Sequence, residues 1–163
     1  MMLLNTLYHR IGDDMNDINW EDQYDDLEIW LAKKGYSIAL EPGADDCIIW
    51  EDKIIYLNSR NGLENQYYTL LHECGHILIA QDEKQWKRDM PVYAISPDKR
   101  QAKSKAYRVS TVAEEIEAWK RGRRLSKRFG HYINDVKYNK QITDFVYTYI
   151  VWAAKPTTPF TFM

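Results

Sequence analysis

The sequence predicts an α+β fold: a small, mainly antiparallel sheet packed on a helix that carries His72 and His76 and on a second, Glu-bearing helix, with N- and C-terminal helices. Three observations predict it. Apolar residues recur at three- and four-residue steps in three separate segments, the period of amphipathic helices. Between the first and second of these segments the chain breaks into short runs rich in Ile and aromatics, separated by turn residues, as strands do. No internal repeat or low-complexity stretch interrupts the 163 residues, a length that reads as one domain over 1–163 and buries about 70% of its unfolded surface.

The elements follow in order. Residues 20–34 place Trp20, Tyr24, Leu27, Trp30 and Leu31 on one helical stripe, and Gly35 stops it. Tyr36–Leu40, Cys47–Trp50 and Lys53–Leu57 read as three strands, with a hairpin around Glu51-Asp52. Asn61 and Glu64 have the spacing of a capping box, so the next helix starts near Gly62 and runs to about Gln81. Residues 82–110 are polar, contain Pro91 and Pro97, and are long for a plain connection; they are partly structured, a functional lid, or mobile. A second capping signature, Thr111-Val112-Ala113-Glu114, predicts a helix from there toward Phe129, ended by Gly130. A last helix covers about residues 140–153, with Ile142, Phe145, Val146, Tyr149, Ile150 and Ala153 as its stripe; residues 154–163, with Pro156 and Pro159, form a tail.

Composition narrows the function classes. Two isolated cysteines, Cys47 and Cys74, make no disulfide framework and suit a reducing compartment. The polar residues after Met1-Met2-Leu3-Leu4 leave no secretory leader, and no apolar run reaches membrane-spanning length, so a cytoplasmic protein without membrane attachment is expected. Charge is uneven within the net value of −2: residues 1–70 hold 5 Lys/Arg against 14 Asp/Glu, and residues 71–163 hold 17 against 10. The acidic stretch at 13–28 reads as a solvated helix face. The basic residues of 99–108 and Lys120–Arg128 could meet an acidic partner or nucleic acid. Lys and Arg near a helix C-terminus also complement its dipole, and a pI near 6.1 argues against a dedicated nucleic-acid binder.

The chemistry is concentrated in His72-Glu73-Cys74-Gly75-His76, an HExxH motif within an apolar helical run. Residues four apart lie one above the other on a helix, so two imidazoles can grip one zinc ion while Glu73 reaches its bound water. Cys74, two residues from each His, faces elsewhere. A hydrolytic zinc site needs one more protein ligand and an open position. Glu115 shares a face with Ala118, Trp119 and Gly122, small residues among them that would let its helix approach the motif helix closely. Glu114 holds the reach-back position of the capping box, and Glu117 faces elsewhere. Asp82 stands where an HExxHxxGxxH pattern puts its third ligand, but Ile79 replaces the turn glycine and resists left-handed backbone angles. Glu115 is therefore preferred to Asp82. Tyr93, Tyr107 and His131 are the candidate second donors to a developing oxyanion.

Asn58-Ser59-Arg60 ahead of Tyr68-Thr69-Leu70-Leu71-His72-Glu73-Cys74-Gly75-His76, followed by Glu115-Ile116-Glu117-Ala118, resembles the ImmA/IrrE-type branch of the gluzincin metallopeptidases over roughly residues 36–125. The resemblance implies a zincin-like fold, His72, His76 and Glu115 as zinc ligands, Glu73 as catalytic base, and a peptide or protein as substrate. The chain departs from that family's pattern at Trp119, where Asn or Asp is usual. Nothing in it resembles the DNA-binding helix-turn-helix often linked to the family, and a bacterial or phage genome suits such a protein.

Overall fold

The computed structural model describes residues 18–90, 92–93, 97–98 and 100–155. They form five α-helices and one three-stranded sheet, in two compact units that meet in sequence at Tyr67 and Tyr68. The residues of the expected tail from 156 onward, the start of the acidic stretch, and Lys99 lie outside the described residues.

In the first unit, α1 (Trp20–Ala32) begins where the Asn19 side chain accepts hydrogen bonds from the amides of Glu21 and Asp22. Its predicted stripe is the inward one: Leu27 and Leu31 are fully buried and Tyr24 nearly so. Gly35 ends the helix at a φ of 83°, a left-handed angle that suits glycine. The strands are β1 (Ser37–Glu41), β2 (Cys47–Ile49) and β3 (Ile54–Asn58). The expected hairpin joins β2 to β3, with Cys47 opposite Tyr56 and Ile49 opposite Ile54. The mainly antiparallel sheet is corrected. β3 is central, and its longer pairing is parallel, Ser37 opposite Ile54 through Glu41 opposite Asn58 on β1. The central position of β3 is reflected in its alternation, with Ile55 and Leu57 fully buried. Asn58 closes the adjoining turns, its Oδ1 accepting from the amides of Gly43 and Arg60.

Helix α2 (Leu63–Gln81) spans the junction of the two units. Tyr67, Tyr68, Leu70, Leu71, Cys74, Ile77 and Ile79 on it are all fully buried, and this near-continuous burial marks a core helix. The second unit continues through α3 (Glu83–Asp89), a short 3₁₀ turn at Gln101–Lys103, α4 (Lys105–Phe129) and α5 (Asp135–Ala154). Segment 82–110 is thus partly helical, and Trp86 and Tyr93 from it form an apolar cluster with Ile79 and Ala118.

The expected start of α4 at Thr111 is also corrected. The cap is Ser104, whose hydroxyl accepts from the Tyr107 amide, and Thr111 lies within the helix with its own hydroxyl donating to the Tyr107 carbonyl one turn back. Gly130 ends α4 at a φ of 72°, as its position predicts. α5 starts earlier than the apolar stripe alone suggests, because Asn134 caps it and accepts from the Lys137 amide. Three polar tethers hold α5 in the unit: the Asn134 amide donates to Tyr68 Oη at 2.9 Å, Tyr138 Oη donates to the Trp119 carbonyl at 2.9 Å, and Gln141 Nε2 donates to Thr69 Oγ1 at 3.3 Å. Neither cysteine is in a disulfide, and no helix among the described residues is long and apolar enough to cross a membrane.

Candidate metal centre

The site begins with two glycines. A Cβ on Gly75 would lie 1.9 Å from the Ala118 carbonyl oxygen, and one on Gly122 would lie 2.4 Å from that of Leu71. The backbones of α2 and α4 therefore touch, and only glycine permits such approach. His72 and His76 flank Gly75 in sequence, while Glu115 precedes Ala118 by about one turn. The crossing point thus brings the two imidazoles and the carboxylate together.

Their reactive atoms converge closely. His72 Nε2 and His76 Nε2 are 3.2 Å apart, and Glu115 Oε2 lies 3.1 Å from the first and 3.5 Å from the second. All three residues are buried, and together they could hold a metal ion. Glu115 Oε2 is buried with no donor aligned on it as a hydrogen bond. A buried carboxylate oxygen pointed at two ring nitrogens, with no hydrogen bond to satisfy it, matches the donor set of a cation site. Glu73 is also buried, with Oε1 4.0 Å from His72 Nε2.

The electrostatics set the three groups apart. Burial lowers His72 to about 4 against the opposing pull of Glu115, which keeps the ring neutral. Burial also acts to lower His76, but Glu114, Glu115 and Glu73 outweigh it and carry that ring up to about 10. Burial would raise Glu115, yet the adjacent His72 and His76 draw it down to about 2, so the carboxylate stays ionised.

The two histidines are oriented by different means. His76 Nδ1 lies 2.9 Å from Glu114 Oε1, a carboxylate–imidazole pair that fixes the ring and aims Nε2 at the cluster. The expectation that Glu114 serves its own helix end is overturned, because α4 starts six residues before Thr111 and Glu114 sits in its interior. His72 has no such partner, since its Nδ1 is buried without a hydrogen bond. Instead its ring stacks on Trp119, with centroids 4.4 Å apart and planes at 24°. Trp119 thus holds His72 by packing at the position where the resembled family usually carries Asn or Asp. We expect Glu114→Ala to weaken metal binding by about 10–100-fold, and Glu114→Gln, which keeps an acceptor, to lose less. Equal affinity in wild type and Glu114→Ala, measured by competition with a chelating dye, would contradict this role.

Sequence reasoning missed Tyr149. It lies on α5 in the apolar stripe, where an aromatic reads as core, but burial and the nearby charges of Glu115, Glu73 and Glu114 keep its hydroxyl neutral. The other donors considered lie in different settings. Tyr93 is in the apolar cluster with Trp86, His131 stacks on Phe129 after the end of α4, and Tyr107 lines a groove beside Tyr149. Asp82 precedes α3, half exposed, with Oδ2 3.6 Å from Arg121 Nη2.

Much of the basic strip is engaged within the unit. Arg121 pairs with Glu117 and donates to the Leu78 carbonyl, Arg124 shares Glu117, and Arg123 pairs with Asp135 and lies over the Tyr138 ring. No protein-family model, curated protein or solved structure matches the chain.

Proposed function

We propose that the chain is a zinc-dependent metallopeptidase in which His72, His76 and Glu115 hold the ion and Glu73 is the general base. The observation that carries this reading is the size of the ligand triangle. Its edges measure 3.1, 3.2 and 3.5 Å, and a tetrahedral zinc with N and O ligands at about 2.0–2.2 Å gives edges of roughly 3.3–3.5 Å. The resemblance of the HExxH and ExxA segments to ImmA/IrrE-type gluzincins supports the same ligands and the same reaction.

When bound, zinc supplies a coordinated water with a pKa near 7 and polarises the scissile carbonyl. The remaining work falls to side chains. Glu73, next to the first ligand in sequence, accepts the proton of the attacking water on its carboxylate and returns it to the leaving amine as the C–N bond breaks. Glu114 and Trp119 keep the two imidazoles aimed. Tyr149, neutral and beside Glu115, is the donor we assign to meet negative charge developing on the carbonyl oxygen.

A non-catalytic zinc-stabilised module is the competing reading, and the internal pairing of Arg121, Arg123 and Arg124 weakens it. Incubating zinc-loaded protein with a mixed peptide library tests the peptidase reading. Cleavage abolished by a chelator and restored by zinc is expected; a fully loaded protein that cuts no peptide would contradict it.

A further inference from the structure

A groove of about 300 Å³ between α4 and α5 is lined by Tyr107, Thr111, Thr148, Tyr149 and Trp152. We propose that this groove is a specificity subsite that receives an aromatic or large aliphatic side chain of the peptide substrate beside the bond that is cut. The inference rests on the metallopeptidase reading and names the substrate class for the same site.

The lining selects against charge. No ionisable acid or base belongs to it apart from two tyrosines, and its two threonine hydroxyls are already taken by their own helices, Thr111 by the Tyr107 carbonyl and Thr148 by that of Phe145. A charged side chain entering here would give up water for a lining that carries no counter-charge, which is costly, whereas an apolar one gains by leaving water. The volume lies at the lower end of the roughly 300–1,000 Å³ of ligand sites, the scale of a side chain rather than of a large cofactor.

Tyr149 connects the groove to the metal ligands. Its ring lines the groove, and the charges of Glu115 and Glu73 act on its hydroxyl. A continuous aromatic file runs the same way: the His72 ring is 5.4 Å from Phe145, Phe145 is 6.1 Å from Tyr149, and Tyr149 is 6.4 Å from Trp152. A peptide whose carbonyl lies at the ligand triangle therefore has this groove within reach of a neighbouring side chain. The far wall is braced, because the Arg108 guanidinium sits 5.5 Å from the Trp152 ring centroid and donates to the Ala153 carbonyl.

The test uses the full chain, zinc-loaded and carrying Glu73→Gln, as a binding reagent for fluorescent peptides that differ at one position: Phe, Leu, Gly, Asp or Lys. Phe and Leu peptides are expected to bind about tenfold or more tightly than Asp and Lys peptides, and wild-type cleavage should follow the same order. Adding Thr111→Trp, which fills the groove, should erase the preference while zinc content stays unchanged; Thr148→Trp, from the exposed side of α5, replaces it if circular dichroism reveals misfolding. Equal affinity for all five peptides would overturn the proposal, and so would a preference that survives in a folded, zinc-loaded groove-filling variant. The two readings fail separately. Cleavage without side-chain preference would remove the subsite and leave the peptidase, whereas a groove-dependent binding preference without wild-type cleavage would remove the peptidase and leave the subsite.

Discussion

Glu73→Gln is expected to retain stoichiometric zinc and to lower peptide hydrolysis by about 10²–10⁴-fold, the usual contribution of a positioned general base. Gln is nearly isosteric with Glu but has no carboxylate to accept a proton, so the substitution removes chemistry and preserves shape. Glu73 is buried beside His72 yet is not one of the three converging ligand atoms, which is why binding and turnover should separate. Zinc titration and single-turnover cleavage on one preparation measure both. A variant that loses zinc and activity together would place Glu73 in the ligand set, and a variant that stays active would remove it from catalysis.

The second large effect is on folding. In an exposed helix interior Gly→Ala would stabilise by about 1 kcal/mol. At Gly75 the added carbon would fall 1.9 Å from the backbone oxygen of Ala118, so α2 and α4 would have to separate. Overpacking that only a backbone shift can relieve costs about 3 kcal/mol or more, and this outweighs the propensity gain. Gly75→Ala should therefore lower the denaturant midpoint clearly and reduce zinc content, because the same crossing sets His72 and His76 against Glu115. Gly62→Ala is the control, since a carbon there meets nothing within 4 Å. Matching midpoints for wild type and Gly75→Ala would contradict the close crossing.

The parts of the fold legible in the sequence are those set by local periodicity. The α1 stripe, the Gly35 and Gly130 stops, the β2–β3 hairpin and the extent of α2 each follow from residues within a turn or two of one another. The parallel pairing of β1 with β3 does not, because strand order depends on contacts distant in sequence, and adjacent strands more often pair as neighbours. The start of α4 was hidden for a different reason. Ser104 is followed three residues on by Tyr107 rather than Glu, and the first turn carries no acidic residue to mark a helix N-terminus. Thr111 and Glu114 have the capping spacing but also fit a helix interior, where the hydroxyl bonds back to the preceding turn. That ambiguity hid the pairing of Glu114 with His76.

At the site, spacing alone singles out His72 and His76, which converge with Glu115, and small residues on the face of Glu115 point to a close helix crossing. Glu115, Ala118 and Gly122 are buried on that face as expected. Tyr149 was not legible as a site residue. An aromatic in an amphipathic stripe has the same sequence signature whether its hydroxyl meets solvent or a carboxylate, and only the position of α5 against α4 distinguishes the two. Trp119 was visible as a departure from the family pattern, but its stacking on His72 required the ring geometry.

The central claim is that His72, His76 and Glu115 form a zinc site, and metal content tests it most directly. Wild type, Glu115→Ala and Asp82→Ala, purified in parallel and analysed by inductively coupled plasma mass spectrometry after loading with zinc and desalting, should give stoichiometric zinc in wild type and Asp82→Ala and a large loss in Glu115→Ala. Zinc retained in Glu115→Ala and lost in Asp82→Ala would contradict the ligand set.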